Sequence, residues 1–124
     1  YGVLDADHHQ LRAASAGAFP FPLLRRGANG AGSELECSGR PLNLPGPRQF
    51  GTVETSLPSG SALLLASDGV LELEPKGRPR DKRRELANLL ERAHSLQDLL
   101  RGLSLDEATR LEDDVALLFI QREA

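Results

Sequence analysis

Ser61-Ala62-Leu63-Leu64-Leu65-Ala66-Ser67-Asp68-Gly69-Val70-Leu71-Glu72 is the stretch on which the fold turns. Ser61 to Ser67 is nearly all apolar and follows the turn residues Pro58-Ser59-Gly60, so it predicts a short strand buried on both faces. Asp68-Gly69 closes that strand. A second apolar run, Val115-Ala116-Leu117-Leu118-Phe119-Ile120, follows Glu112-Asp113-Asp114. If the two runs are antiparallel neighbours, Asp68 and Asp113 come to one end of one sheet. Hard divalent cations such as Mg²⁺ and Mn²⁺ take carboxylate oxygens and water, and such an end suits them. Asp beside Gly is also ordinary turn chemistry, and spacing alone leaves both readings open.

Outward from this centre the chain divides by periodicity. Val3 to Asp5 and Gln10 to Ser15 flank the polar Asp7-His8-His9 as two antiparallel strands joined by a solvent-facing turn. Adjacent residues point in different directions, so His8 and His9 are poorly placed to face one ion. Phe19-Pro20-Phe21-Pro22-Leu23-Leu24 suits an edge strand or a strand entrance, because two prolines remove two ladder donors. Gly27 to Ser33 reads as a loop, with a short strand over Leu35 to Cys37. Gly39 to Pro47 is rich in breakers and predicts a connecting loop, and Phe50 to Leu57 alternates as a half-exposed strand does.

From Asp81 the pattern turns helical. Leu86, Leu89, Leu90 and Ala93 recur at i, i+3, i+4 and i+7, and Leu96, Leu99, Leu100 and Leu103 continue the stripe. One long helix and two helices are both compatible with it, since Ser95 with Asp98 can begin a second and Gly102 can stop it. Ser104-Leu105-Asp106-Glu107 has capping-box spacing and predicts a short helix over Leu105 to Leu111.

Composition narrows the function classes. At 124 residues and a formal net charge of −3, the chain fits one globular domain or part of one, with no overall field that favours nucleic acid. The longest apolar run is far too short to span a bilayer. Cys37 is alone, which excludes an internal disulfide and a multi-cysteine zinc site and fits an idle thiol in the reducing cytoplasm. There is no Met, and Tyr1-Gly2-Val3-Leu4-Asp5 already reads as a strand, so the sequence is expected to begin inside a larger protein. Lys76, Arg78, Arg80, Lys82, Arg83 and Arg84 form a basic cluster against which only Asp81 stands. A solvated loop explains it, and so does a docking patch for an acidic partner through Arg80, Arg83 and Arg84.

Four segments resemble one family. Ser67-Asp68-Gly69-Val70 with Glu72 resembles the "Ser/Thr-Asp-Gly-Val, Glu" signature of metal-dependent, PP2C-like serine/threonine protein phosphatases of the bacterial sporulation-stage-II-E type. Asp113-Asp114 before an apolar strand resembles that family's closing motif. Ala16-Gly17 with Pro20 to Leu24 resembles its "Ala-Gly-His-Pro-Pro-Leu-Leu" segment, and Gly39-Arg40-Pro41-Leu42 its "Gly-x-Pro-Leu-Gly" loop. The resemblance implies an α+β fold, part of an α-β-β-α sandwich of two antiparallel sheets flanked by helices, of which residues 1–124 are the C-terminal part. It implies a two-metal centre of Mn²⁺ or Mg²⁺, with Asp68 and Asp113 binding one ion and Gly69, Glu72 and Asp114 as neighbours. Such ions activate water for attack on the phosphorus of phosphoserine or phosphothreonine and neutralise charge on the transferring group.

The implied partner is a phosphorylated regulatory protein of a sigma-factor pathway, such as an anti-sigma-factor antagonist, and the implied setting is the output domain of a bacterial response regulator. The sequence also departs from the pattern. The family's N-terminal half, which supplies the remaining ligands, is not in this sequence. Ala18 stands where the family has His and Asn43 where it has Gly, although Asn can also adopt a left-handed backbone. These departures support a second reading, a degenerate phosphatase-like module that regulates by docking to a sigma factor or adaptor protein.

Overall fold

The computed structural model describes residues 1–47, 49–73, 79–106, 111 and 113–123. Among the described residues, seven strands form two antiparallel sheets. The first holds β1 (Gly2–Asp5), β2 (Gln10–Ala14) and β5 (Thr52–Ser56), in the order β1-β2-β5. The second holds β3 (Leu23–Arg25), β4 (Gly32–Glu34), β6 (Ala62–Ala66) and β7 (Leu117–Gln121), in the order β4-β3-β6-β7. Helices α1 (Pro79–Arg92) and α2 (Leu96–Gly102) belong to the outer side of the second sheet. The class is α+β, as the family pattern implies.

The two-residue period of a strand sorts the apolar side chains between the layers. Leu23, Ala62 and Leu64 face the helices and join Leu86, Leu90, Ala93 and Leu99 in one core. Their neighbours Leu24 and Leu63 face the other sheet and join Leu11, Ala13, Leu35 and Cys37 in a second core. The second sheet is therefore apolar on both faces, which is why Leu63-Leu64 reads as a continuous run rather than an alternation. Sheet β1-β2-β5 covers only part of it. Leu65 and Leu118 are register partners that share the faces of Leu63 and Ile120, yet they are 37% and 54% exposed.

Several expectations need revision. The short strand expected at Leu35 to Cys37 lies earlier, at Gly32–Glu34. Leu35 and Cys37 still enter the inter-sheet core, and the thiol's burial pushes its pKa up. β3 is interior, between β4 and β6, so Phe19 to Pro22 is a strand entrance and not an edge. The apolar stripe makes two helices, not one. Ser95 caps the second by accepting the Asp98 N–H at 3.1 Å, and Asp98 in turn accepts the His94 N–H at 3.0 Å. The short helix expected over Leu105 to Leu111 falls largely outside the described residues.

Arg25 is the residue that sequence reading passes over. It sits on β3 facing the helices and is fully buried, at 0% exposure. Its Nη1 donates to the carbonyls of Leu90 at 3.1 Å and of Ala93, and its Nη2 donates to Gly60 O at 3.1 Å. A buried cation is tolerated only where such partners replace water. The Leu90 and Ala93 carbonyls lie at the end of α1, where intrahelical donors run out and the helix dipole is negative. Arg25→Ala should therefore lower unfolding free energy by about 3 kcal/mol, because it leaves buried carbonyls without donors. Arg25→Lys should recover only part of the loss, since an ammonium lacks the planar fork. Urea unfolding of the three proteins checks both statements.

Candidate metal centre

β6 and β7 pair antiparallel from Ala62↔Gln121 to Ala66↔Leu117. The chain leaves this ladder at Ser67 and enters one turn of 3-10 helix, Asp68–Glu72, with the Val70 N–H bonded to Ser67 O at 3.2 Å. Across from it the chain enters β7 through Asp113, Asp114, Val115 and Ala116. Asp68 and the Asp113-Asp114 pair thus meet at one end of the sheet, as the antiparallel pairing of the two apolar runs requires.

Local contacts fix the turn. The Ser67 N–H donates to Ala116 O at 2.9 Å, and the Ala116 N–H donates to Ser67 Oγ at 2.9 Å. The Ser67 hydroxyl donates to Asp114 O at 3.2 Å. Gly69 is buried directly against the same carbonyl, and a Cβ there would lie 2.2 Å from Asp114 O. The Asp114 N–H donates to Asp113 Oδ1 at 2.8 Å, which turns one oxygen of that carboxylate back on its own backbone. Asp68, Asp113, Asp114 and Glu72 are all exposed. Glu72 lies at the far end of the 3-10 turn.

The other segments of the family pattern arrive at the same end. β2 ends there at Ala14, and β3 begins there at Leu23, so the Ser15 to Pro22 link lies beside the end of β6. Gly17 packs on Pro41, with a Cβ position 2.5 Å from its ring, and Gly39 bridges to Phe50. Asn43 takes a φ of 67°, so the loop keeps the left-handed residue that glycine provides in the family. Ala18 offers no ring nitrogen. His8 and His9 stay in the exposed turn after β1, at the opposite end.

The donor chemistry fits part of a divalent-cation shell. Exposed carboxylates on a fixed turn suit Mg²⁺ or Mn²⁺, but a six-oxygen shell needs more ligands than this turn supplies. Among the described residues, no three His, Cys, Asp or Glu side chains cluster as a ligand set.

The basic cluster is divided by the structure. Lys76 and Arg78 lie outside the described residues. Lys82 Nζ donates to Leu71 O. Arg83 pairs with Glu34 of β4 at 3.3 Å and lies 5.6 Å from the centre of the Phe19 ring. Only about a quarter of each side chain in the Arg83–Glu34 pair is exposed. Arg83 thus has intramolecular partners, while Arg80 and Arg84 are exposed. Sequence reading missed the Phe19–Arg83–Glu34 contact because it joins three distant segments with no shared motif.

Comparison with known proteins gives a consistent family pattern. The family profile described as Stage II sporulation protein E (SpoIIE) matches residues 1–123. No curated protein matches the chain. Among solved structures, the RsbU and RsbW domains of Rv1364c from Mycobacterium tuberculosis match with a TM-score of 0.76 and 27% identity. That match covers 98% of this chain and 36% of the other. The phosphatase domain of the cell fate determinant SpoIIE from Bacillus subtilis, presoaked with Mn, matches with a TM-score of 0.67 and 15% identity, over 99% of this chain and 55% of the other. RsbX in complex with magnesium matches with a TM-score of 0.63 and 18% identity, over 95% and 52%. The chain therefore spans from about a third to little more than half of these neighbours.

The turn geometry makes a prediction of its own. Gly69→Ala forces a methyl against a backbone carbonyl that cannot rotate away, so it should destabilise the protein by about 1–3 kcal/mol. Thermal unfolding beside a Gly51→Ala control, whose Cβ meets a serine hydroxyl instead, checks this.

Proposed function

We propose a function from one premise: the chain belongs to the Stage II sporulation protein E (SpoIIE) family. It is a phosphatase-like domain, related to PP2C-type signalling phosphatases. In our reading, the protein hydrolyses phosphoserine or phosphothreonine on a regulatory protein of a sigma-factor pathway, such as an anti-sigma-factor antagonist. The observation that carries this reading is the pairing of β6 with β7, which brings the segments holding Asp68 and Asp113 to one end of the sheet.

Asp68 and Asp113 would hold one Mn²⁺ or Mg²⁺ ion, with Asp114 beside them. Such an ion supplies charge neutralisation at phosphorus and a nucleophile from water at neutral pH. This chain's own part is to present carboxylates on a turn that cannot swing, and to leave the inner face at Leu65 and Leu118 open beside them. We read that open face, together with the fraction of the neighbours spanned, as the place where the N-terminal half of the domain brings further strands and ligands. A cytoplasmic response-regulator output domain is the setting that suits this proposal.

The second reading, a degenerate docking module, is favoured by Ala18 in place of the family's His. Asn43 no longer favours it, because its backbone conformation is the one glycine would adopt. With Lys82 and Arg83 engaged, its docking surface reduces among the described residues to Arg80 and Arg84.

Two experiments separate the readings. In the intact protein, Asp68→Asn and Asp113→Asn should each lower metal-dependent hydrolysis of a phosphoserine peptide by about 100-fold or more, the loss expected when several kcal/mol of charge stabilisation disappear. Wild-type rates in both variants would rule out the metal assignment. Reversing Arg80 and Arg84 to Glu should leave stability within roughly 1 kcal/mol. If the docking reading holds, the same double variant should slow association with the protein partner about tenfold at low salt. Surface binding kinetics measure this.

A further inference from the structure

Ser67 occupies the N-cap position of the 3-10 turn that carries Asp68, and serine is a preferred capping residue. Its hydroxyl makes no capping bond there. It is directed instead across to the opposite strand, where it accepts from the Ala116 N–H and donates to Asp114 O. The reason lies in the backbone. At Ser67 the chain leaves the ladder, and the Ser67 carbonyl turns to accept the Val70 N–H at 3.2 Å. The Ala116 N–H accordingly meets the Ser67 side chain. The hydroxyl supplies the acceptor there and reaches one step further, to Asp114.

We propose that Ser67 is a positioning residue for the divalent metal site: its hydroxyl holds the Asp113-Asp114 turn on the end of β6 and so sets the spacing between the Asp68 and Asp113 carboxylates. The inference rests on the phosphatase reading above and adds to it a residue that does not touch the ion. Past the last ladder pair, Ala66↔Leu117, the bonds between the two approaches run, among the described residues, through Ser67: its backbone N–H donates one, and its hydroxyl accepts one and donates one. Gly69 allows the approach from the other side, because a hydrogen is all that fits between its Cα and the Asp114 carbonyl. Loss of the hydroxyl releases Asp114 O and the Ala116 N–H to solvent, and the spacing of the two carboxylates is then no longer imposed. Two ligands whose separation must be set by the ion itself bind it more weakly than two that are preorganised.

The test compares Ser67→Thr with Ser67→Val in the intact protein. The two side chains have nearly the same shape and differ by the hydroxyl, and the extended backbone at Ser67, with φ −74° and ψ 162°, accepts β-branched residues. Mn²⁺ binding is read by calorimetry at a temperature where circular dichroism shows every variant folded. Ser67→Val should weaken Mn²⁺ binding by about tenfold or more, the usual effect of removing a group that orients a metal ligand, while Ser67→Thr stays within about twofold of wild type. A purely structural serine would shift the unfolding midpoint and leave the affinity of the folded protein unchanged. Ser67→Ala serves as a second hydroxyl deletion if the valine variant fails to fold, and the same weakening is expected of it. Wild-type affinity in the hydroxyl-free variants, or equal losses in the threonine and valine variants, overturns the proposal. Asp68→Asn and Asp113→Asn run alongside separate the two levels of inference. If they too bind Mn²⁺ as wild type does, the metal reading fails and Ser67's role with it; if they bind weakly while Ser67→Val does not, only the positioning role fails.

Discussion

A guanidinium out of reach of water ties α1 to the sheet beneath it. Arg25 rises from β3 into the helix layer and shares its donors between the end of α1 and Gly60, just before β6. Each partner needs the others. The cation's desolvation is offset by carbonyls that the helix end leaves free, and those carbonyls find their donors in a side chain because no further helical turn follows. Among the described residues Arg25 Nε has no partner, so this arrangement leaves one donor uncompensated there. At the other end, α1 is held by Lys82 on Leu71 O and by Arg83 between Glu34 and Phe19. A cation in a first helical turn opposes the dipole by about 0.3–1 kcal/mol, and the bond of Lys82 to Leu71 O offsets that cost.

This double attachment bears on the candidate site through one short segment. Leu71 belongs to the 3-10 turn that begins at Asp68, and Val70 and Leu71 are buried in the helix-side core. Asp68 therefore stands on a turn whose far side is packed against α1 and whose near side is bonded to the approach to β7. The carboxylates are exposed, but the backbone that carries them is buried at Gly69. On the proposed metal reading, this constrained backbone is what would orient the carboxylates that hold the ion.

What separates the catalytic reading from the degenerate one is now a small set of residues. Asn43 preserves the loop geometry, and Ala18 removes a ring without disturbing the Ser15 turn, where Ser15 Oγ still accepts the Ala18 N–H at 3.0 Å. The four segments of the family pattern meet at one end of the sandwich although they are far apart in the chain. That convergence is a property of strand order. β2, β3 and β6 each either end or begin at the same edge, so the links between them gather there.

The sequence by itself determined the β-rich organisation, the switch to helix near Asp81 and the two apolar strands with their aspartates, and it offered Ser95 as a cap without deciding between one helix and two. Each of these is a local signal, since periodicity and capping chemistry act within a few residues. The family pattern was legible for the same reason, as its motifs are short and contiguous. Tertiary structure alone decided that β3 is interior, that Arg25 is a buried cap rather than a surface charge, and that Arg83 belongs to Glu34. It also decided that the Ser67 hydroxyl serves the opposite strand and not its own turn. These outcomes depend on which distant segments come into contact, and a carbonyl or carboxylate supplied from elsewhere in the chain leaves no mark on the sequence around the side chain that binds it.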